Sequence, residues 1–419
     1  MKGVFIILDG AADEPCQSLG QKTPLQIAKT PNLDSIARKS NIDHCYTVQE
    51  SYVPESDKAI VSLLGYNFIS TSRGALEAKG LGFKLKNGDL AFRCNFATID
   101  NIQDRNIIDR RAGRTLTTKE AKILAEAINN NVSLQFQFEF RAGIQHRGVL
   151  VIRGGFSSNI TNVEINKEKL EFSQPQDEED DSKLAAELVN SFVRQSYEIL
   201  NKHPINIARA KKGLFSANVI MCRGPGNEPA NFKKLKGKWI ALGYTPLEIG
   251  IAEAARMDIF RFKYPKLKGI DVYENLYLGL KKAVKHAIKM LKRYRNKYEY
   301  FFIHFKELDV AGHDNKPLDK VKMIEILDEK FFSFLKNYID NEKLIIIPDH
   351  MTSCRQKAHT SNPVPVLIYP SNKEQDNRFT EEQGLKGRKI MGRRLLVDYF
   401  FSKQVNALRA APLRQSLHF

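Results

Sequence analysis

Three aspartates and three histidines stand where they could do chemistry. Asp9 closes the apolar run Val4–Leu8. Tyr300–Phe305 leads into Asp309 and His313, Leu344–Ile347 leads into Asp349 and His350, and His359 follows inside Lys357-Ala358-His359-Thr360-Ser361. Open α/β sheets place ligand sites just beyond the carboxyl ends of their strands. Any one of these histidines taken alone reads as a structural or surface residue; gathered behind apolar runs, the set reads as a cation site. Oxygen plus imidazole ligation suits Mn²⁺, Zn²⁺ or Mg²⁺ rather than a thiolate metal, and a two-cation site needs these residue types. Asp309 and His313 are one helical turn or one tight loop apart and can share an ion. Adjacent strand residues point to opposite faces, so Asp349 and His350 can share a site where the strand ends, as Pro348 suggests.

A nucleophile is less plain. Ser56, in Pro54-Glu55-Ser56-Asp57, precedes a helical stretch from Lys58 to Leu64. Its hydroxyl needs a base or a metal to become nucleophilic, and helix N-capping is the competing role. Between the two ends lie arginines with small neighbours: Arg110, Arg111 and Arg114, His146-Arg147, Arg209, and Arg223 before Gly224, with Arg73 and Arg93 as further members. Guanidinium groups bind carboxylate and phosphate bidentately. These clusters lack interleaved aromatics, which favours a small anionic substrate over nucleic acid.

The elements that must position these residues fall into two textures. Gly3–Asp9 is a short, continuous, buried strand. Thr23-Pro24 and Thr30-Pro31 are helix starts. Residues 1–70 and 266–419 alternate strand and helix, giving an α/β domain. Residues 71–265 form an α+β insertion, with period-two strands at Leu90–Thr98, Gln135–Phe140 and Val149–Arg153 and helices at Lys119–Asn129 and Lys183–Leu200. Asp271–Tyr294 is a basic amphipathic helix, read as packing ahead of the Tyr300–Phe305 strand rather than as a membrane-surface helix. Leu395–Phe401 is a last helix, followed by an end expected to fray.

The 419 residues are sufficient for two domains, and 65 Lys plus Arg against 48 Asp plus Glu leave a formal charge of +17. That excess permits nucleic acid, an anionic membrane surface or anionic small molecules as partners. No apolar run approaches the ~18 residues a membrane span needs, and the N-terminal run is too short for a signal peptide. Five scattered cysteines without a CxxC pair argue for a reducing cytoplasm. No nucleic-acid or membrane partner is expected.

Taken in order, the motifs resemble the archaeal-type cofactor-independent phosphoglycerate mutases of the alkaline phosphatase superfamily. They are Leu8-Asp9-Gly10, Lys22-Thr23-Pro24-Leu25, Thr30 to Asp34, Ser56-Asp57, Leu63 to Tyr66, Arg73 to Ala78, Gly88 to Phe96, Asp109 to Arg114, Asp309 to Asp314, Asp349-His350 and His359 to Pro365. The resemblance implies a doubly wound, alkaline-phosphatase-like metalloenzyme domain carrying an inserted α+β cap. It implies two divalent metal ions, Mn²⁺ foremost, with Mg²⁺, Zn²⁺ or Co²⁺ as alternatives. Asp9, Ser56, Asp349 and His350 would hold one ion; Asp309, His313 and His359 would hold the other. Ser56 would take the phosphoryl group of 3-phosphoglycerate and return it as 2-phosphoglycerate, a step of glycolysis and gluconeogenesis, with no 2,3-bisphosphoglycerate. Arg110, Arg111, Arg114, His146, Arg147 and Arg223 would bind the substrate. A metal-dependent phosphatase or phosphotransferase on another small phosphorylated anion is the alternative. The chain departs from the family pattern at Glu55 and Ser72, where glycine is usual, and at Met351 and Ser353, where a small residue and proline are usual. None of these removes a ligand or the nucleophile.

Overall fold

The computed structural model describes residues 1–164 and 168–402. They divide into two compact units. Met1–Phe68, Lys236–Lys238 and the chain from Leu291 onward make the first; Ile69–Leu235 and Trp239–Met290 make the second.

The first unit is built on a sheet in the order Lys389–Met391, Asn41–Tyr46, Val364–Tyr369, Lys343–Ile347, Gly3–Leu8, Tyr300–Phe305. Its middle strands are runs of Val, Ile, Leu and Phe without polar alternation, as strands covered on both faces require. Gly3–Leu8 lies between Tyr300–Phe305 and Lys343–Ile347 and runs parallel to both, with Phe5 opposite Phe302 and Ile345. Three carboxyl ends, one from the start of the chain and two from near its end, therefore emerge at one edge. Among these strands Val364–Tyr369 alone runs against its neighbours, so the sheet is mixed.

The helix starts read from the sequence are real. Thr23 caps Pro24–Ile27 with a full capping box to Gln26, satisfying two end donors reciprocally. Pro31–Ala37 follows Thr30, and its first turn is held by the Asp328 carboxylate, which accepts from the N–H groups of Asn32 and Leu33. The helix predicted from Lys58 begins earlier, at Ser56, with Glu55 as its N-cap residue. The last predicted helix starts at Gly392 and passes at Val397 into a wider turn that ends at Phe401. The end expected to fray lies outside the described residues.

In the second unit Leu90–Ile99 is central, flanked by Arg147–Ile152 and Val219–Gly226 in antiparallel register, with Phe138–Ala142 beyond Arg147–Ile152. The strand expected from Gln135 begins three residues later. Alternation along Leu90–Ile99 sorts the two faces. Phe92, Cys94 and Phe96 enter a core shared with helices Thr118–Asn131 and Asp180–Asn201. On the other face Ala91, Val149 and Val151 pack with Ala78 of helix Arg73–Gly80. That helix crosses Pro246–Ala254 so closely that a Cβ on Gly80 would lie 1.8 Å from the Pro246 carbonyl oxygen, and one on Gly250 would lie 1.8 Å from that of Leu76. No helix among the described residues is long and apolar enough to cross a membrane.

Candidate active site

All seven predicted ligand positions belong to the first unit, and the structure gathers them at the strand ends described above. Asp9 follows its strand directly. Asp349 and His350 follow Lys343–Ile347 after the Pro348 break, and Asp309 and His313 sit on the one-turn-spaced face of helix Glu307–His313. His359 comes from the short strand Ala358–Thr360, which pairs with Met351–Ser353. Two groups result: Asp9, Asp349 and His350, all buried, and Asp309, His313 and His359. Within each group the potential ligand atoms lie within 4.8 Å of one another.

In the first group each carboxylate has one oxygen engaged and one left over. Asp349 Oδ1 accepts from the N–H groups of Gly10 and His350, at 3.1 Å each. Asp9 Oδ2 lies 3.0 Å from Lys306 Nζ and 3.2 Å from His304 Nε2. The other oxygens, Asp9 Oδ1 and Asp349 Oδ2, accept no hydrogen bond from any described residue. Both sit 3.3 Å from His350 Nε2, and Ser56 Oγ is 3.2 Å from that same nitrogen. Buried carboxylate oxygens without donors are costly unless a cation completes them. The donor set therefore fits a divalent metal. Gly10 makes the approach possible: its φ is +59°, and a Cβ there would lie 2.9 Å from Asp309 Cα.

The second group is arranged the same way. Asp309 Oδ1 is 3.4 Å from both His313 Nε2 and His359 Nε2, which are 3.1 Å apart. The outer nitrogens face backbone carbonyls, His313 Nδ1 toward Lys357 at 3.1 Å and His359 Nδ1 toward Pro54 at 2.8 Å. A carbonyl only accepts, so each Nδ1 carries a proton and each Nε2 is turned inward toward Asp309. Metal-binding histidines are held in this way.

Burial and neighbouring charge pull these groups in different directions. Burial works against ionisation of Asp9, but Lys306, His304 and His350 hold its carboxyl well below the ordinary range. Burial and the neighbouring Asp9 push Asp349 up. Burial opposes protonation of His359, yet the hydrogen bond and charge of Asp309 push that imidazole up to about 9. Two carboxylates crowded together, one raised by the other, are relieved by a shared cation.

Ser56 is the first residue of its helix rather than its cap, since Glu55 holds the N-cap position. The N-capping alternative therefore does not apply. At a helix N-terminus it is also placed where a phosphate is favoured.

The second unit gathers the predicted cationic residues into a group of its own. His146 is buried and held well below its ordinary value by that burial first, then by Arg147, Arg111, Arg114 and Arg93. Arg93 and Arg223 stand opposite one another across two strands. Arg223 Nη1 reaches Glu164 Oε2 at 3.0 Å, and Arg110 Nη2 reaches the same oxygen at 2.8 Å. Glu77 is held low by Arg73 and Arg93 against the effect of burial. Arg209 differs from the rest: its guanidinium donates to the Phe215 carbonyl at 3.0 Å and to Thr115 Oγ1 at 2.8 Å, bracing the turn that carries Arg111 and Arg114.

The model of the 2,3-bisphosphoglycerate-independent phosphoglycerate mutase family matches residues 37–206. A protein of that name from Pyrococcus horikoshii is 37% identical over 400 residues, covering 92% of both chains. Another from Methanosphaera stadtmanae is 38% identical over 377 residues, or 88% of each. The chain belongs to this phosphoglycerate mutase family. Solved structures agree. A Pyrococcus horikoshii protein superposes with a TM-score of 0.72 at 29% identity, over 97% of this chain and 99% of that one. The cofactor-independent phosphoglycerate mutase of Thermoplasma acidophilum gives 0.55 at 26% identity, over 96% and 99%.

Three residues around this mutase-family site were not anticipated. Lys306 and His304 both approach Asp9 Oδ2, and Thr352 lies between the two ligand groups. His304 carried a signal, as the one imidazole inside Tyr300–Phe305. Lys306 carried none, one lysine among many in a basic chain.

Proposed function

We propose that the chain interconverts 3-phosphoglycerate and 2-phosphoglycerate through a phosphoserine on Ser56. Asp9, Ser56, Asp349 and His350 would hold one divalent ion, and Asp309, His313 and His359 the other, with Mn²⁺ the leading candidate. Bound there, two divalent ions lower the serine hydroxyl's pKa and neutralise charge on the transferring phosphoryl group. The observation that supports this best is Ser56 Oγ lying 3.2 Å from His350 Nε2, the same nitrogen that two donor-poor carboxylate oxygens approach.

The residues of the chain divide the work. Ser56 Oγ forms the bond to phosphorus as the bond from phosphorus to the substrate's 3-oxygen breaks, and that oxygen takes up a proton. The 2-hydroxyl then attacks the phosphoserine, giving up its proton as the bond from phosphorus to Ser56 Oγ breaks, and Ser56 Oγ takes up a proton to return to the hydroxyl. Lys306, beside Asp9, adds a positive charge at the site. In the second unit, Arg110, Arg111, Arg114, Arg147 and Arg223 supply guanidinium groups suited to the substrate's carboxylate and phosphate. His146, kept neutral by burial and by its arginine neighbours, can donate one hydrogen bond without adding charge.

The test is a coupled assay with 3-phosphoglycerate, Mn²⁺ and enolase, following phosphoenolpyruvate beside free phosphate. Metal-dependent phosphoenolpyruvate is the expected result, falling on the order of 10⁴-fold or more in Ser56→Ala. Free phosphate without phosphoenolpyruvate would make the chain a phosphatase instead.

A further inference from the structure

The hydroxyl of Thr352 touches both ligand groups at once. The residue is fully buried. Its Oγ1 donates to Asp309 Oδ1 at 2.8 Å and stands 3.0 Å from His350 Nδ1. A hydroxyl has one proton and a carboxylate can only accept. That proton is spent on Asp309, so the contact with His350 is satisfied when Nδ1 carries the imidazole proton and donates it to Oγ1. The lone pair is then on Nε2, the atom on which Ser56 Oγ, Asp9 Oδ1 and Asp349 Oδ2 converge.

Thr352 has little freedom to do otherwise. Its N–H donates to the Ala12 carbonyl at 3.1 Å, and its own carbonyl accepts from the buried Lys320 ammonium at 2.9 Å. Its neighbours are Gly10 and Gly312: a Cβ on Gly10 would lie 2.5 Å from Oγ1, and one on Gly312 would lie 2.6 Å from the Thr352 methyl. The side chain is seated in one orientation. His313 and His359 have their outer nitrogens held by backbone carbonyls, which no substitution removes; His350 depends on a side chain.

We infer that Thr352 is a positioning residue that sets the His350 tautomer and, through Asp309, couples the two cation sites. The inference rests on the metal-centre reading above. Partners that orient metal ligands typically account for about 10–100-fold in affinity.

The experiment is calorimetric titration of the metal-free full chain with Mn²⁺, for wild type, Thr352→Val and Thr352→Ser, with melting of the metal-free proteins alongside. Wild type is expected to bind two ions. Thr352→Ser, which keeps the hydroxyl, is expected to bind both within about threefold of wild type, and Thr352→Val to lose about 10–100-fold at both. Unchanged binding in Thr352→Val overturns the inference, and so does a loss confined to one ion. If Thr352→Val does not fold, Thr352→Ser decides: a folded serine variant that loses about 10–100-fold at both ions shows that the methyl, not the hydroxyl, matters, and overturns the inference. A wild type that binds no Mn²⁺ would instead sink the metal-centre reading itself.

Discussion

At the scale of single residues, the site shows how burial and neighbours divide labour among identical side chains. Asp9 and Asp349 are both buried carboxyls, yet Lys306 and His304 stabilise the charge of the first, while the second is raised by burial and by the first. Behind them Lys320, fully buried, donates to Ala12 O, Asp13 Oδ2 and Thr352 O, so all three ammonium protons are used. Glu381 belongs to the same support. It accepts from Thr23 Oγ1 at 2.6 Å and the Asp13 N–H at 2.9 Å, and burial pushes its carboxyl up to about 7 from 4.5. A carboxyl raised on folding binds its proton better in the folded state. Its contribution to stability is therefore complete below about pH 4.5 and is lost as pH rises through about 7. Denaturation measured across that window should show Glu381→Gln flattening a decline worth about 3 kcal/mol at most. An unchanged slope in the variant would mean that other groups carry it.

At the scale of elements, the parallel strands Gly3–Leu8, Tyr300–Phe305 and Lys343–Ile347 matter because they deliver their ends to one edge, and the short pair Met351–Ser353 with Ala358–Thr360 returns His359 to it. In the second unit the critical contact is a helix crossing. Helices Arg73–Gly80 and Pro246–Ala254 meet through Gly80 and Gly250 against opposing backbone, which cannot swing aside as a side chain can. Gly250→Ala should force the helices apart and cost about 1–3 kcal/mol. Urea titration would read this as a shift in midpoint, and an unshifted midpoint would show that the crossing relaxes freely. The same helix carries Arg73 and Glu77 at their 2.9 Å contact, so the crossing also positions part of the arginine group.

At the scale of the whole molecule, the division into two compact units predicts two melting transitions. The ligand groups lie in one unit, so metal should stabilise that transition and leave the other in place. A ligand at a hundred times its Kd adds about 2.7 kcal/mol, enough to move a transition by several degrees. Scanning calorimetry with Mn²⁺ and then a chelator checks this. Asp309→Asn should lose part of the metal response, and a chelator shift common to both transitions would contradict the assignment of the ions to one unit. The +17 formal charge acts at this scale too, as a field that favours the approach of anions and weakens with salt.

The sequence by itself determined the local elements and the candidate ligands. Val4–Leu8 and Leu344–Ile347 are unbroken apolar runs, Thr23-Pro24 and Thr30-Pro31 carry their own start signals, and Asp9, Asp349 and His350 declare themselves by following such runs. These are short-range properties, set by propensity and hydrophobic pattern. What the tertiary structure alone decided is long-range. Strand order put the end of Gly3–Leu8 between two strands from near the other end of the chain, and nothing local encodes that choice. Cys94 and Cys222, scattered in sequence, have their sulfurs 3.5 Å apart because their strands pair. Arg209, alike in sequence to its neighbours, is spent on the Phe215 carbonyl, the Thr115 hydroxyl and Glu120. Thr352, an ordinary threonine in a list of letters, is placed between Asp309 and His350 by packing. Hydrogen-bond roles depend on which acceptor a fold brings within 3 Å, and that distance exists only once the chain has closed.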